Sequence, residues 1–396
     1  MKLAFYYHIP VAAKEGELFL PGYIGVFVDE LARNLDKLYL VMHEATGREY
    51  EEADYQLECS NITFVNLGSK TPSWQRSLMP GKVLRAKMRE IESCNAFLVR
   101  SPSPLAPYFH KYIKNPKLFF LIVGDYAEGA KQIGTKGLKN KLLYMYFQHN
   151  DMKFRKRLPK TDIFVNSPEL FEKYKNKSKS IELVKTTTLR EEDFYKKAST
   201  AFQDPIRLLF TGRIEPTKGL IELFEAGKRL IDTGKDIQID IVGWENNPEK
   251  PFEKKLISYA ESLGISNNIT FHGKKKLGPD LNQYYRNSDI YVLPSYHEGF
   301  PRTIWEAMSN SLPVIATNVG GIPFFLKSKK HAILIEPKNS NSIAKAIELL
   351  INDDNLREKI ISNGYDLSKS NSLKLQTKKL VNLISQLTFK KNIKKL

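Results

Sequence analysis

The chain has 396 residues, with 61 Lys+Arg against 44 Asp+Glu and a formal net charge of +17. A 42% hydrophobic and 27% charged composition excludes a disordered chain, and the length allows two domains with cores of ordinary size. Two cysteines, Cys59 and Cys94, make neither a disulfide framework nor a zinc site, so a reducing, cytoplasmic setting is expected. The positive charge suits a polyanionic partner (nucleic acid, an anionic membrane face, a phosphorylated substrate) or is compositional habit with no partner behind it.

The start, MKLAFYYHIPVAAKEG, has a lysine and small residues but an apolar run broken by His8 and Pro10. It fails as a secretory signal and reads as a first strand. Further strands are expected at Leu38 to His43, Ile62 to Val65, Ala96 to Val99, Leu118 to Val123, Ile163 to Asn166 and Ile181 to Val184. The apolar run at 118–123 is far too short to span a bilayer. Between the first two strands, Ile24, Phe27, Val28, Leu31 and Leu35 recur at helical spacing with Asp29, Glu30 and Arg33 on the outer side. Strands separated by helices imply right-handed crossovers and a doubly wound, mostly parallel sheet.

Residues 191–205 are polar and without period, and read as a linker. The pattern then restarts, with strands at Arg207 to Thr211, Gln238 to Val242, Ile269 to His272, Ile290 to Leu293, Val314 to Thr317 and Ile333 to Glu336. After Ser370 comes an amphipathic helix with Leu373, Leu380, Ile384 and Leu387 inside and Lys374, Lys378 and Lys379 outside, ending in FKKNIKKL. The expected division is 1–190, a linker at 191–205, 206–370, and a closing helix and basic tail at 371–396.

Chemistry concentrates in two stretches of the second half. In LLFTGRIEPTKGL (208–220) a strand ends at Gly212, Arg213 follows, and Lys218 precedes a helix. Two cations so placed can clamp a diphosphate, Arg bidentately and Lys as a point charge, although Lys218 alone also reads as a solvated helix start. In YVLPSYHEGFPRTIWEAMSNSLPVIATNVGGIP (291–323) a buried strand leads to a loop with Glu298 and Gly299, then a helix from about Pro301 to Asn310, a second strand and a Gly-Gly turn. Ligands bind at the C-terminal ends of strands in open α/β sheets, and a helix start near Arg302 and Thr303 is an anion site. Backbone amides for an anion, with Glu298 and Glu306 for hydroxyls, together describe a site for a nucleotide sugar.

Glu298, seven intervening residues and Glu306, in the setting HEGFPRTIWEAM followed by PVIATNVGGIP, resemble the double-glutamate motif of retaining family 4 glycosyltransferases of GT-B fold, in the wording of members that build bacterial surface polysaccharides. The resemblance implies an α/β GT-B architecture: two Rossmann-like doubly wound domains facing a cleft, with the last helix returning to the first. It assigns acceptor binding to the N-terminal domain and nucleotide-sugar binding to the C-terminal one. It further implies that Arg213 and Lys218 bind the donor diphosphate, Glu306 the ribose hydroxyls and Glu298 the donor sugar. Amides around Gly299, Phe300 and Thr303 would assist the phosphates, and Gly273 would stand where backbone meets the base. Lys274 to Lys276 read equally as a solvated charged turn. Gly22 and Gly25, before the first helix, permit close approach to phosphate or acceptor, or are plain loop glycines.

The chain departs from the family pattern in two places. Many relatives place a His after the strand equivalent to Leu118–Val123, where this chain has Gly124 and Asp125; Asp125, His149 or His8 is left to fill that catalytic position. KTTTLREEDF (185–194) stands where relatives often carry Asn-Gly. No Asp-x-Asp pair, G-x-G-x-x-G, Walker lysine or G-x-S-x-G occurs, which argues against metal-diphosphate transferases, dehydrogenases, ATPases and α/β hydrolases.

The expected function is therefore a retaining, metal-independent hexosyltransferase without cofactor. It uses a nucleoside diphosphate sugar, UDP-linked by default, and a glycan or lipid-linked acceptor. The lysine-rich tail would hold it peripherally on an anionic inner membrane face. Three rivals stay open: a nucleotide-sugar epimerase of the same fold, a non-catalytic partner subunit, and a nucleic-acid binder, the last without any accompanying recognition motif.

Overall fold

A computed structural model describes residues 1–126 and 137–389. The chain divides into two compact units, one of residues 1–186 with the helix that begins at Leu373, the other of residues 187–372. Both are α/β, and every strand anticipated from the apolar runs is present, with ends moved by a few residues.

The first unit is built on a seven-stranded parallel sheet. Its strands are β1 (Lys2–Tyr6), β4 (Lys37–Glu44), β6 (Ile62–Ser69), β7 (Ala96–Ser101), β8 (Lys117–Ile122), β9 (Asp162–Val165) and β10 (Ser180–Leu183). Their order across the sheet is β10-β9-β8-β7-β1-β4-β6. The central strands are apolar on both faces because helices cover both sides, which is why they read as continuous hydrophobic runs. A small antiparallel sheet of β2 (Ala12–Lys14), β3 (Glu17–Leu20) and β5 (Tyr55–Gln56) was not anticipated. These segments are too short and mixed to show a period.

That small sheet explains two differences on the Gly22–Arg33 helix. Gly22 and Gly25 lie inside this helix, not before it. A Cβ on Gly25 would stand 2.3 Å from the Tyr55 ring, so the close approach that needs a glycine is to Tyr55. The Gly22 amide donates to Asp54 Oδ1 at 2.9 Å. Asp29, expected on the outer side, is fully buried. It accepts from the Tyr55 hydroxyl at 2.9 Å and from the Glu58 and Cys59 amides at 3.1 and 3.2 Å. A carboxylate so satisfied can be buried, whereas helical periodicity alone would place it in water.

The Leu373–Phe389 helix returns to the first unit and packs on the Gly22–Arg33 helix, with Leu373, Leu380, Val381 and Ile384 buried. Gln376 accepts the Lys185 amide at 3.1 Å, and Lys379 donates to the Leu183 carbonyl at 2.9 Å. The lysine-rich end expected to meet a membrane falls, beyond Phe389, outside the described residues. Among the described residues no helix is long and apolar enough to cross a bilayer.

The second unit has a six-stranded parallel sheet in the order β13-β12-β11-β14-β15-β16. These strands are β11 (Ile206–Arg213), β12 (Ile237–Trp244), β13 (Ile269–Gly273), β14 (Ile290–Leu293), β15 (Val314–Thr317) and β16 (Ile333–Ile335). The chain winds outward from β11 to β13, crosses back, and winds outward again from β14. This is the order of dinucleotide-binding sheets, and it opens a crevice where β11 and β14 lie side by side. Residues 191–205 belong to this unit: Asp193 is buried against Asn282, and the Tyr195 amide donates to the Ser309 carbonyl at 2.8 Å.

Candidate functional site

The two stretches singled out for chemistry meet at that crevice, because each follows one of the adjacent strands β11 and β14. Backbone contacts lock their loops together. The Tyr296 amide donates to the Thr217 carbonyl at 2.8 Å. Gly219 has φ +69°, and a Cβ there would stand 2.2 Å from the Pro294 carbonyl oxygen. Only glycine allows both that conformation and that approach. The turn after β15 closes from the other side, with the Gly321 amide donating to the Gly299 carbonyl at 2.7 Å. Gly320, at φ +52°, would drive a Cβ to 1.7 Å from the Glu298 carbonyl oxygen. The Gly-Gly pair is thus the seat of the Glu298–Gly299 loop.

This scaffold brings Lys218 and Glu298 into direct contact, with Lys218 Nζ donating to Glu298 Oε1 at 2.7 Å. Both side chains are largely buried, at 14% and 11% exposure. Arg213, at the end of β11, is half exposed and pairs with Glu215 at 3.4 Å. Glu215 also accepts from Thr217 at 3.1 Å. Each of the expected phosphate-binding cations therefore rests on a carboxylate.

Glu306 lies on the Arg302–Ser309 helix and is buried. Its Oε2 accepts from the Tyr285 hydroxyl at 2.8 Å and its Oε1 from the Thr188 hydroxyl at 3.4 Å. Burial pushes its pKa above the ordinary carboxylate value, opposed by the Arg302 guanidinium and the Tyr285 hydrogen bond. A carboxylate has about four acceptor positions, so two remain for ligand hydroxyls. The Tyr285 hydroxyl, its proton given to Glu306, accepts from Thr211 Oγ1 at 2.7 Å, and the Tyr291 hydroxyl donates to the Thr211 carbonyl at 3.4 Å. Tyr291 in turn feels the charges of both Glu306 and Glu298. This chain of hydroxyls ties Glu306 to the strand that ends in Arg213. Thr188, Thr211, Tyr285 and Tyr291 carry no sequence signal beyond an apolar period, and sequence reasoning missed them.

Pro301, at the cap position of the Arg302–Ser309 helix, supplies no side-chain cap; Thr303 stands in the first turn. Phe300 stacks on Trp305 with ring centroids 4.5 Å apart and meets Phe325 edge-on at 4.8 Å. That aromatic cluster fixes the path of the loop into the helix. Gly299 and Gly273 border open space, with no heavy atom within 4 Å of a Cβ placed on either, and Gly273 has φ +69°. Lys274 lies over the Trp244 ring and Lys275 over Tyr284.

The remaining expected residues belong to the first unit. Asp125 is buried, and its carboxylate is held by Lys173. Its charge is thus already balanced, which distinguishes it from a His left available to a sugar. His149 is exposed on the Leu138–Arg155 helix, and His8 follows β1.

The glycosyl transferases group 1 family matches residues 191–367. Protein CapJ of Staphylococcus aureus is 24% identical over 380 residues, covering 95% of this chain and 93% of that protein. The capsular polysaccharide biosynthesis glycosyltransferase CapM of Staphylococcus aureus is 28% identical over 174 residues, 44% of this chain and 43% of that protein. Several curated relatives, CapM among them, are matched over less than half of their own length. The crystal structure of HepE of Anabaena in complex with UDP shares the fold, with TM-score 0.68 at 16% identity over 98% of this chain and all of that one. The chain has the GT-B fold, and its residues 191–367 match the glycosyl transferases group 1 family.

Proposed function

We propose that this chain is a retaining, metal-independent glycosyltransferase. It moves a sugar from a nucleoside diphosphate donor, UDP-linked in the first instance, to a hydroxyl of a glycan or lipid-linked glycan in cell-surface polysaccharide synthesis. The observation that carries the reading is the Lys218–Glu298 contact at the β11–β14 crevice, with Glu306 linked to the same strand through Tyr285 and Thr211. HepE, solved with UDP, and CapM, named for capsule synthesis, support the donor and the pathway class.

In this reading the donor diphosphate takes Lys218 and Arg213 from their carboxylate partners, and the two cations stabilise the charge that develops as the glycosidic bond breaks. Glu298, released from Lys218, turns to the hydroxyls of the sugar, and Glu306 accepts from the ribose. The leaving phosphate receives the acceptor's proton on the same face, which preserves the anomeric configuration.

A thermal-shift screen of UDP-, GDP- and ADP-sugars tests the donor site, since a ligand that binds only the native state raises Tm by mass action. One donor class should raise Tm, and Lys218→Ala and Glu306→Gln should each remove the shift. Transfer assays with that donor, with product anomers read by NMR and with chelator present, then test retention and metal independence. Absence of any shift, or shifts indifferent to both substitutions, would overturn the reading.

A further inference from the structure

A second polar cluster lies in the first unit, at the C-terminal ends of β1, β4 and β7. This is the switch point of that sheet, because the chain winds outward from β1 on one side and from β7 on the other. At its centre is Arg76, on the Ser73–Leu78 helix, only 3% exposed. Among the described residues its Nε and Nη1 are buried without a hydrogen-bond partner. Its Nη2 reaches Ser73 Oγ at a long 3.4 Å. A buried guanidinium without a carboxylate carries an unbalanced charge, which folded proteins rarely leave in place.

Two histidines and a tyrosine share its surroundings. Arg76 lies within electrostatic reach of Tyr6, His8 and His43. Burial, then Arg76, pushes His43 down to about 4, and burial, then Lys70, Arg76 and Arg100, pushes His8 down to about 3. Both imidazoles are therefore neutral at pH 7. His43 Nδ1 sits 3.1 Å from the Gly68 carbonyl, to which it must donate, so Nε2 carries the lone pair. That Nε2 is buried and unpartnered, and it is suited to accept from a hydroxyl. The cluster reaches solvent past the half-buried His8 and Arg100.

We infer that Arg76 and His43 form a binding site for a phosphoryl group on a hydroxyl-bearing ligand, Arg76 taking the phosphoryl oxygens and His43 Nε2 a hydroxyl. The inference deepens the proposed function in one respect: it takes that ligand to be the acceptor, which then carries a phosphate or diphosphate near the receiving sugar. A lipid-linked diphosphate and a soluble sugar phosphate share this chemistry.

The test uses the full chain with the donor site disabled by Arg213→Ala and Lys218→Ala, so that phosphate binding there does not contribute. Thermal shifts are measured with inorganic phosphate, glucose 1-phosphate and farnesyl diphosphate. At least one probe should raise Tm by several degrees, and Arg76→Met should abolish the rise. Without ligand, Arg76→Met should be no less stable than its parent, since it removes an unbalanced buried charge. Arg76→Lys, which keeps the charge but loses the planar fork, should weaken the same probe ~10-fold and decides the matter if Arg76→Met does not fold. Tighter binding of farnesyl diphosphate points to a lipid-linked acceptor, and tighter binding of glucose 1-phosphate to a soluble one. No shift with any probe, or shifts unchanged by the Arg76 substitutions, would overturn the site. A failed UDP-sugar screen would leave this result untouched, so the two readings fail separately.

Discussion

Lys218 and Glu298 are eighty positions apart in sequence and form a 2.7 Å ion pair from loops that follow neighbouring strands. The pair is mostly screened from water, so each partner depends on the other. Lys218→Ala should cost on the order of 2–3 kcal/mol in chemical denaturation, below the about 3–5 kcal/mol of a fully buried pair. The Lys218→Ala/Glu298→Ala double variant should recover part of that loss, with a coupling of about 1 kcal/mol or more in the cycle. Additive effects would show that the two groups do not depend on each other.

Tyr285 is the hydrogen-bond donor that makes a buried Glu306 tolerable. Tyr285→Phe should destabilise by about 1–3 kcal/mol, the usual cost of leaving a buried acceptor unsatisfied. The same change should weaken nucleotide-sugar binding, because the carboxylate is no longer held in place. Urea denaturation and a thermal-shift titration with the best donor check the two effects.

Glu306 has a folded-state pKa above its unfolded value. The folded protein therefore binds its proton more readily, and this group favours folding most at low pH. Its contribution is lost as pH rises from the unfolded value of about 4.3 through the raised folded one. The stability of Glu306→Gln relative to wild type should accordingly increase across that window and level off above it. A difference curve that is flat between pH 4 and 7 would contradict this.

His43 works in the opposite direction. Its pKa is lowered from the ordinary 6.5 to about 4, first by burial and then by Arg76. The unfolded chain binds the proton more readily, so stability is lost as pH falls through this range. Integrated over the window, the loss amounts to about 3 kcal/mol at one pKa unit per 1.36 kcal/mol. His43→Gln should flatten that part of the acid limb in Tm against pH.

Gly320, pressed on the Glu298 carbonyl, and Gly299, the next residue of that loop, should respond differently to a methyl group. Gly320→Ala must move the Glu298 carbonyl and hold a left-handed conformation, and should cost about 2 kcal/mol or more. Gly299→Ala meets open space and should change stability by no more than about 0.5 kcal/mol. A large loss of donor affinity in Gly299→Ala at unchanged stability would mark its backbone as ligand-facing.

The layout was legible because strands covered on both faces must be apolar throughout, so LAFYY, AFLV and YVL stand out from any polar neighbour. The residues of the β11–β14 crevice were legible for a related reason: Gly219, Gly320 and Gly321 cannot change without breaking backbone contacts, so the loops keep a recognisable wording. Other features left no such trace. Asp29 and Arg76 look like surface charges in sequence, since only tertiary contacts show that one is satisfied by Tyr55 and the amides of 58 and 59 and the other by nothing described. Tyr285 and Thr188 are ordinary until folding brings them to Glu306. Gly25 could be read either as ligand-facing or as a plain loop glycine, because the strand carrying Tyr55 is too short to foresee.

The Gly320–Gly321 turn, pressed against the backbone of Glu298 and Gly299, also sets where this protein can be re-engineered. Any redesign that inserts or enlarges residues in the loop after β15 will displace the loop after β14, so those two segments must be inherited as one block. Gly273 and its lysine neighbours stand free of that constraint. Substitutions in that stretch should therefore be tolerated by the fold.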